Sequence, residues 1–112
     1  IQSISADTLA AKQQENPSIA IVDVRKASEY GSEHILNAQN APLDFINESM
    51  ATIDKDKTYF VHCAGGYRSM IFISILKARG FEHLIDVKGG FKEIKESGKF
   101  KLTDYVCPTT LL

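Results

Sequence analysis

With 112 residues, 44% of them apolar, the chain has material for one domain with a compact core and too little for two. Its 13 basic and 14 acidic side chains give a net charge of -1, so it lacks the basic excess of a nucleic-acid footprint and any basic face beside an apolar stripe for a membrane surface. Two cysteines are too few for a disulfide scaffold, and the longest apolar runs fall far short of the roughly 20 residues of a membrane span. The chain starts at Ile1 rather than Met and no signal peptide is visible. The cytoplasm is the expected compartment, with the periplasm as the alternative if a signal sequence preceded Ile1.

Residues 3–15 read as a short helix with Ser5 as N-cap, broken by Asn16-Pro17. Residues 19–24 are a continuous apolar run rich in β-branched residues, the pattern of a strand covered on both faces. Residues 26–35 are polar and turn-like. Residues 38–43 contain Pro42 and suit a weak or edge strand. Helical spacing of Leu43, Ile46 and Met50 predicts a helix within 43–53, and residues 58–62 predict a second strong strand. Residues 69–79 are apolar on most sides, which predicts a helix buried within the fold and stopped by Gly80. A third strand over 83–87, a turn at Gly89-Gly90 and a short helix over 91–96 follow, and the tail from residue 99 has no clear period. Strands alternating with helices over short connections predict an α/β fold with a mainly parallel sheet. Ligands of such sheets bind beyond the carboxyl ends of strands, which is where Cys63 falls.

The segment Cys63-Ala64-Gly65-Gly66-Tyr67-Arg68-Ser69 runs from a strand into a helix. Three effects converge on its sulfur. A short loop with two glycines can curl so that its N–H groups point inward as an anion nest. The following helix turns the positive end of its dipole and its unpaired N–H groups to the same spot. Arg68 adds a permanent cation. Together these favour thiolate over thiol, and the thiolate is the nucleophile. The expectation is a sulfur held charged and exposed at position 63, where the same donors would also hold a terminal persulfide anion. The plain alternative is a small buried hydrophobe at a strand end; the two glycines and the arginine weigh against it.

On these residues, and over about residues 4–98, the chain resembles the rhodanese homology family. Cys63, Gly66, Arg68 and Ser69 resemble its loop pattern Cys-x-x-Gly-x-Arg-Ser. Upstream, Asp23-Val24-Arg25, Glu29-Tyr30, His34-Ile35, Ala38, Asn40 and Pro42 resemble its first signature. Val87 with Gly89-Gly90 resembles the turn before its last helix. The chain departs at Glu33 and Asn37, where the family usually has glycine, and at Ile94, where it often has tryptophan. Asn tolerates left-handed backbone angles, so the turn at Asn37 should survive.

The resemblance implies a three-layer α/β domain spanning 1–112, with a core of about 4–98, a tail over 99–112, and a mainly parallel sheet of about five strands with helices on both faces. It implies a sulfurtransferase that moves a sulfane sulfur from thiosulfate or a persulfide to cyanide or a thiol through a Cys63 persulfide, with no metal or organic cofactor. Ala64, Gly65, Gly66, Tyr67, Arg68 and Ser69 would form the substrate loop, with Asp23 and Arg25 framing it. Partners would be these small donors and acceptors or a sulfur-carrier protein, with no nucleic acid or membrane, and the chain would be a monomer or weak dimer. Four residues separate Cys63 from Arg68. The cell-cycle dual-specificity phosphatases share the family fold but have a longer loop, so a phosphatase or arsenate-handling enzyme ranks second and a non-catalytic binding module third. Arg68 is the only cation in the loop, which weighs against thiosulfate as the physiological donor.

Other residues carry two readings each. Arg68 could bond a carboxylate under the loop or the substrate anion. Asp23 and Arg25 could frame the site or only stabilise a turn. Tyr67 and Ala64 project from the loop and could tune substrate entry. His62 should point to the opposite face from Cys63, His34 reads as structural, and His83 as a surface residue. Cys107 could resolve a Cys63 persulfide as a disulfide, or be incidental.

Overall fold

The two β-branched runs form the centre of the sheet. Strand β2 (Ala20–Asp23) pairs in parallel with β4 (Tyr59–His62), Val22 opposite Val61 and Asp23 opposite His62. The computed structural model describes residues 1–107, and around this pair it places β1 (Ser3–Ile4), β3 (Gln39–Asn40) and β5 (Leu84–Val87). The five strands run parallel in the order β1-β5-β4-β2-β3. Parallel strands need crossovers, supplied by α1 (Ala6–Glu15), α2 (Ala27–Ser32), a short 3-10 turn leading into α3 (Ile46–Met50), and α4 (Tyr67–Ala78). Helix α5 (Gly90–Ser97) closes the order.

Side chains alternate along each strand, so the sheet feeds two cores. Val22, Val61, Cys63 and Leu84 pack with Phe72, Ile73 and Leu76 of α4, and Ile46 and Met50 of α3 pack against them. Ile21, Phe60 and Val87 pack with Leu9 of α1 and with Phe91 and Ile94 of α5 on the other face. The α/β class, the parallel sheet and the helices on both faces agree with the sequence. Ile94, in place of a tryptophan, is fully buried. Asn37 takes a left-handed φ of 71°, so the turn survives without glycine.

Four expectations need correction. Residues 3 and 4 extend rather than begin the helix, because Ser3 and Ile4 find β5 as a partner; Ser5 then caps α1 by accepting from the Thr8 N–H. The turn-like stretch 26–35 contains α2: Glu29 accepts the Lys26 N–H, which fixes its first turn. Helix α4 is not buried all round, since Met70 and Ile71 stand in solvent. Its end is as expected, with Gly80 at φ 95° and a paired Gly80 N–H to Lys77 O and Phe81 N–H to Leu76 O, a Schellman closure. Finally, the tail has a tertiary partner in place of a period. Lys101, Thr103 and Val106 bond back to Leu36, His34 and Ser32, and Ile35 and Leu102 form an antiparallel bridge.

Candidate active site

Cys63 follows directly on β4, and the loop after it turns into α4 within three residues. Gly66 caps that helix at φ 109°, an angle that a Cβ would strain. This angle brings the Gly66 N–H to 3.0 Å from Cys63 Sγ, where it donates to the sulfur. Ser69, in the first turn of α4, has its Oγ 3.5 Å from the same atom. The sulfur is not exposed, however. Cys63 is 1% accessible and sits in the aliphatic cluster of Val22, Val61 and Phe72. The expectation of an exposed anion is corrected: the curl that delivers the Gly66 N–H also folds the loop across the sulfur. One side of Sγ is aliphatic and the other polar.

A second helix fixes the loop from outside. Phe91 N–H donates to Cys63 O at 2.6 Å and Lys92 N–H to Ala64 O at 3.1 Å. These are unpaired first-turn donors of α5, satisfied here by loop carbonyls. In a planar trans peptide the N–H points opposite to the C=O, so the N–H groups of Ala64 and Gly65 are turned away from α5. The approach is so close that a Cβ on Gly90 would lie 2.5 Å from Cys63 O.

Beneath the loop, Arg25 donates to both carboxylate oxygens of Asp23 and to the Glu33 carbonyl, and its guanidinium lies 4.2 Å over the Phe91 ring. Asp23 and Arg25 therefore brace the turn after β2 and support the residue that holds Cys63 O. Glu33 needs no glycine angle, being extended at φ -166°. Arg68 takes the carboxylate partner: it grips Glu29 of α2 with two hydrogen bonds, 2.6 and 3.1 Å. Tyr67 stands 86% exposed at the rim. A shallow cavity of about 440 Å³ opens there, lined by Gly65, Gly66, Tyr67, Met70, Asp86 and Lys88.

Glu29 is held below the usual carboxylate range, first because it accepts the Arg68 hydrogen bonds. A carboxylate with a lowered folded pKa adds stability that is complete above its unfolded value and is lost as pH falls through the folded one. Wild type should therefore melt above Glu29→Gln at pH 7, by a modest margin because the pair is part-exposed. The gap should close in melts taken toward pH 3, and an equal gap at both ends would remove the pair as its cause.

His62 points away from the sulfur, stacked near Phe91, with Nδ1 3.1 Å from Cys63 O. A carbonyl only accepts, so Nδ1 carries the proton and Nε2 is bare, without a hydrogen-bond partner and 3.9 Å from Asp23 Oδ2. Burial pushes the imidazole pKa down, against the opposing pull of Asp23, so that contact is no salt bridge at neutral pH. A histidine with a lowered folded pKa leaves stability full above its unfolded value of about 6.5 and erodes it below, by at most about 1.4 kcal/mol per pH unit. Denaturant midpoints at pH 7.5 and 5.5 should differ in wild type, and the difference should shrink in His62→Gln. His34 is structural, stacked on Tyr30 and bonded to its carbonyl, and His83 is exposed.

Sequence reasoning missed three contributors. Glu29 was visible only as a motif residue, and its pairing with Arg68 spans 39 positions. The α5 donors to the loop carry no side-chain signal beyond the glycine pair. Asp86 left a trace, an acidic residue inside an otherwise apolar strand, and it accepts from Ser69 Oγ at 2.6 Å. Cys107 is exposed and follows Val106, which is tied to Ser32 beside α2. The described residues hold no group of three or more His, Cys, Asp or Glu arranged for a metal, and no helix long and apolar enough to cross a membrane.

The family model described as "Rhodanese-like domain" matches residues 5–97. The chain belongs to the rhodanese-like domain family. A rhodanese-like domain protein from Staphylococcus aureus, solved by crystallography, superposes with a TM-score of 0.78 at 34% identity, covering 84% of this chain and 91% of that one. Bacillus subtilis YtwF, provisionally named a sulfurtransferase, is 34% identical over 90 residues, 80% of this chain and 86% of its own. Bacillus subtilis YqhL, which has no assigned function, is 35% identical over 81 residues. This rhodanese-like chain spans 63% of YqhL. Family and relatives together support sulfur transfer as the general chemistry.

Proposed function

We propose that Cys63 carries a sulfane sulfur as a persulfide, taking it from thiosulfate or a persulfide donor and passing it to a thiol or cyanide. The Cys63 thiolate attacks the outer sulfur of the donor, a new S–S bond forms, and the donor's own S–S bond breaks with its electron pair on the leaving group. The acceptor then attacks the outer sulfur of Cys63–S–S⁻ and returns the thiolate. The observation that carries this reading is the Gly66 N–H at 3.0 Å from Sγ, at the head of a 12-residue helix. That donor and that dipole stabilise negative charge where the reaction generates it.

The outer sulfur of a persulfide stands about 2 Å from Sγ, a small extension suited to a tight loop. The exposed Tyr67 and half-buried Ala64 would meet the incoming donor at the rim. Arg68 is committed to Glu29, so it serves the loop as a brace. Lys88 is the cation that lines the cavity.

Intact-mass spectrometry after treatment with thiosulfate or a low-molecular-weight persulfide tests the proposal. One sulfur atom should be gained, located at Cys63 and removed by dithiothreitol. Phosphate release from an aryl phosphate, with no sulfur gained from any sulfane donor, would replace this reading with the phosphatase one.

A further inference from the structure

Asp86 is a carboxylate buried at 4% exposure, on the same sheet face as Cys63 and across from Val61 in the neighbouring strand. A buried carboxylate is costly unless paired, and among the described residues Asp86 has no ion-pair partner. Its side chain holds one hydrogen bond, from Ser69 Oγ at 2.6 Å, and Ser69 is itself fully buried. An ionised carboxylate only accepts, so the single Ser69 proton points at Asp86. The Ser69 oxygen then presents a lone pair to Cys63 Sγ at 3.5 Å, and the thiol is the donor in that contact. The three groups form one directed chain, S–H to O–H to carboxylate, enclosed between β4, β5 and α4.

We propose that Asp86 is a positioning residue that takes up the Cys63 proton through Ser69 when the thiol is activated. The S–H bond breaks with its electron pair left on sulfur, and the proton passes to Ser69 Oγ. The proton Ser69 already held passes to Asp86, which becomes a neutral acid. Ser69 then donates to the new thiolate, beside the Gly66 N–H. Negative charge has moved from a buried oxygen to the sulfur, and the proton stays on Asp86 until solvent or a departing thiolate takes it. This deepens the sulfurtransferase reading and rests on it only for the purpose of the thiolate.

Other charged or titratable groups face this chain. Arg68, bound to Glu29, comes from α4; Lys88 follows on β5; Asp23 with Arg25 lies on β2; His62 lies on β4 and points to the other face. All are unchanged in the variants compared, so they shift every profile alike.

The test is the pH dependence of iodoacetamide alkylation at Cys63, which needs no sulfur substrate. Asp86→Asn keeps an acceptor for Ser69 but cannot ionise. It should alkylate about tenfold more slowly than wild type at neutral pH, an upward move of about one unit in the profile, and converge with wild type near pH 10. Ser69→Ala breaks the chain at its middle and should show the same move, which keeps the test decisive if Asp86→Asn fails to fold. A profile that superimposes on wild type, or a slowing by one factor at every pH, overturns the proposal. Shifted profiles in a protein that gains no sulfur would sustain the relay while sinking the sulfurtransferase reading.

Discussion

Cys63→Ser should lose sulfur transfer by about a thousandfold or more, the scale expected when a covalent nucleophile is removed. A serine hydroxyl is a far weaker nucleophile toward sulfur, and no persulfide can form on it. The residual rate should equal that of the buffer reaction. Stability should change little, because serine is nearly isosteric and can still receive the Gly66 N–H and meet Ser69. The assay is thiocyanate or hydrosulfide formation with saturating donor, beside a thermal melt. Wild type should also give parallel double-reciprocal plots when donor and acceptor are varied, since the sulfur rests on the protein between two half-reactions. A stable Cys63→Ser protein that keeps a tenth of the activity would remove Cys63 from the mechanism.

The second large effect is structural and lies outside the loop. In Gly90→Ala the new Cβ would meet Cys63 O at 2.5 Å and both the carbon and the oxygen of the Ala64 carbonyl at 2.7 Å. These are backbone atoms and cannot swing aside as a side-chain end would. Relief must come by moving α5 off the loop, which unpairs the Phe91 and Lys92 N–H groups at a cost of about 1–3 kcal/mol each. We expect a loss of about 3 kcal/mol or more in denaturant titration, with sulfur loading at Cys63 falling in the folded fraction. Gly98→Ala is the matched control. Its φ of 66° is nearly that of Gly90 at 60°, yet nothing lies within 4 Å of its added Cβ. It should cost only the left-handed penalty of about 1 kcal/mol. Equal losses in the two variants would mean that the close approach at Gly90 contributes nothing.

Both predictions concern a loop whose residues were legible before its surroundings were. Cys63, the two glycines and the helix after them are contiguous, so their convergence is local chemistry that follows from chain order. The alternation of apolar runs with helical spacing likewise determined the α/β class and the central strands, because burial on both faces leaves a mark on every residue of such a strand. Ser5 and Gly80 marked helix ends for the same local reason, each satisfying backbone groups within a few positions of itself.

What the tertiary structure decided was pairing at long range. Residues 3–4 became a strand because β5 lay beside them, and 27–32 became a helix whose Glu29 meets Arg68. Whether Cys63 was exposed depended on how far the loop curled, which is set by the Gly66 donor and the α5 donors together. Asp86 was one acidic residue in a strand until the sheet register turned it toward Ser69. A hydrogen bond between distant residues leaves no periodicity in the chain, and a buried charge is explained only by the neighbour that folding brings to it.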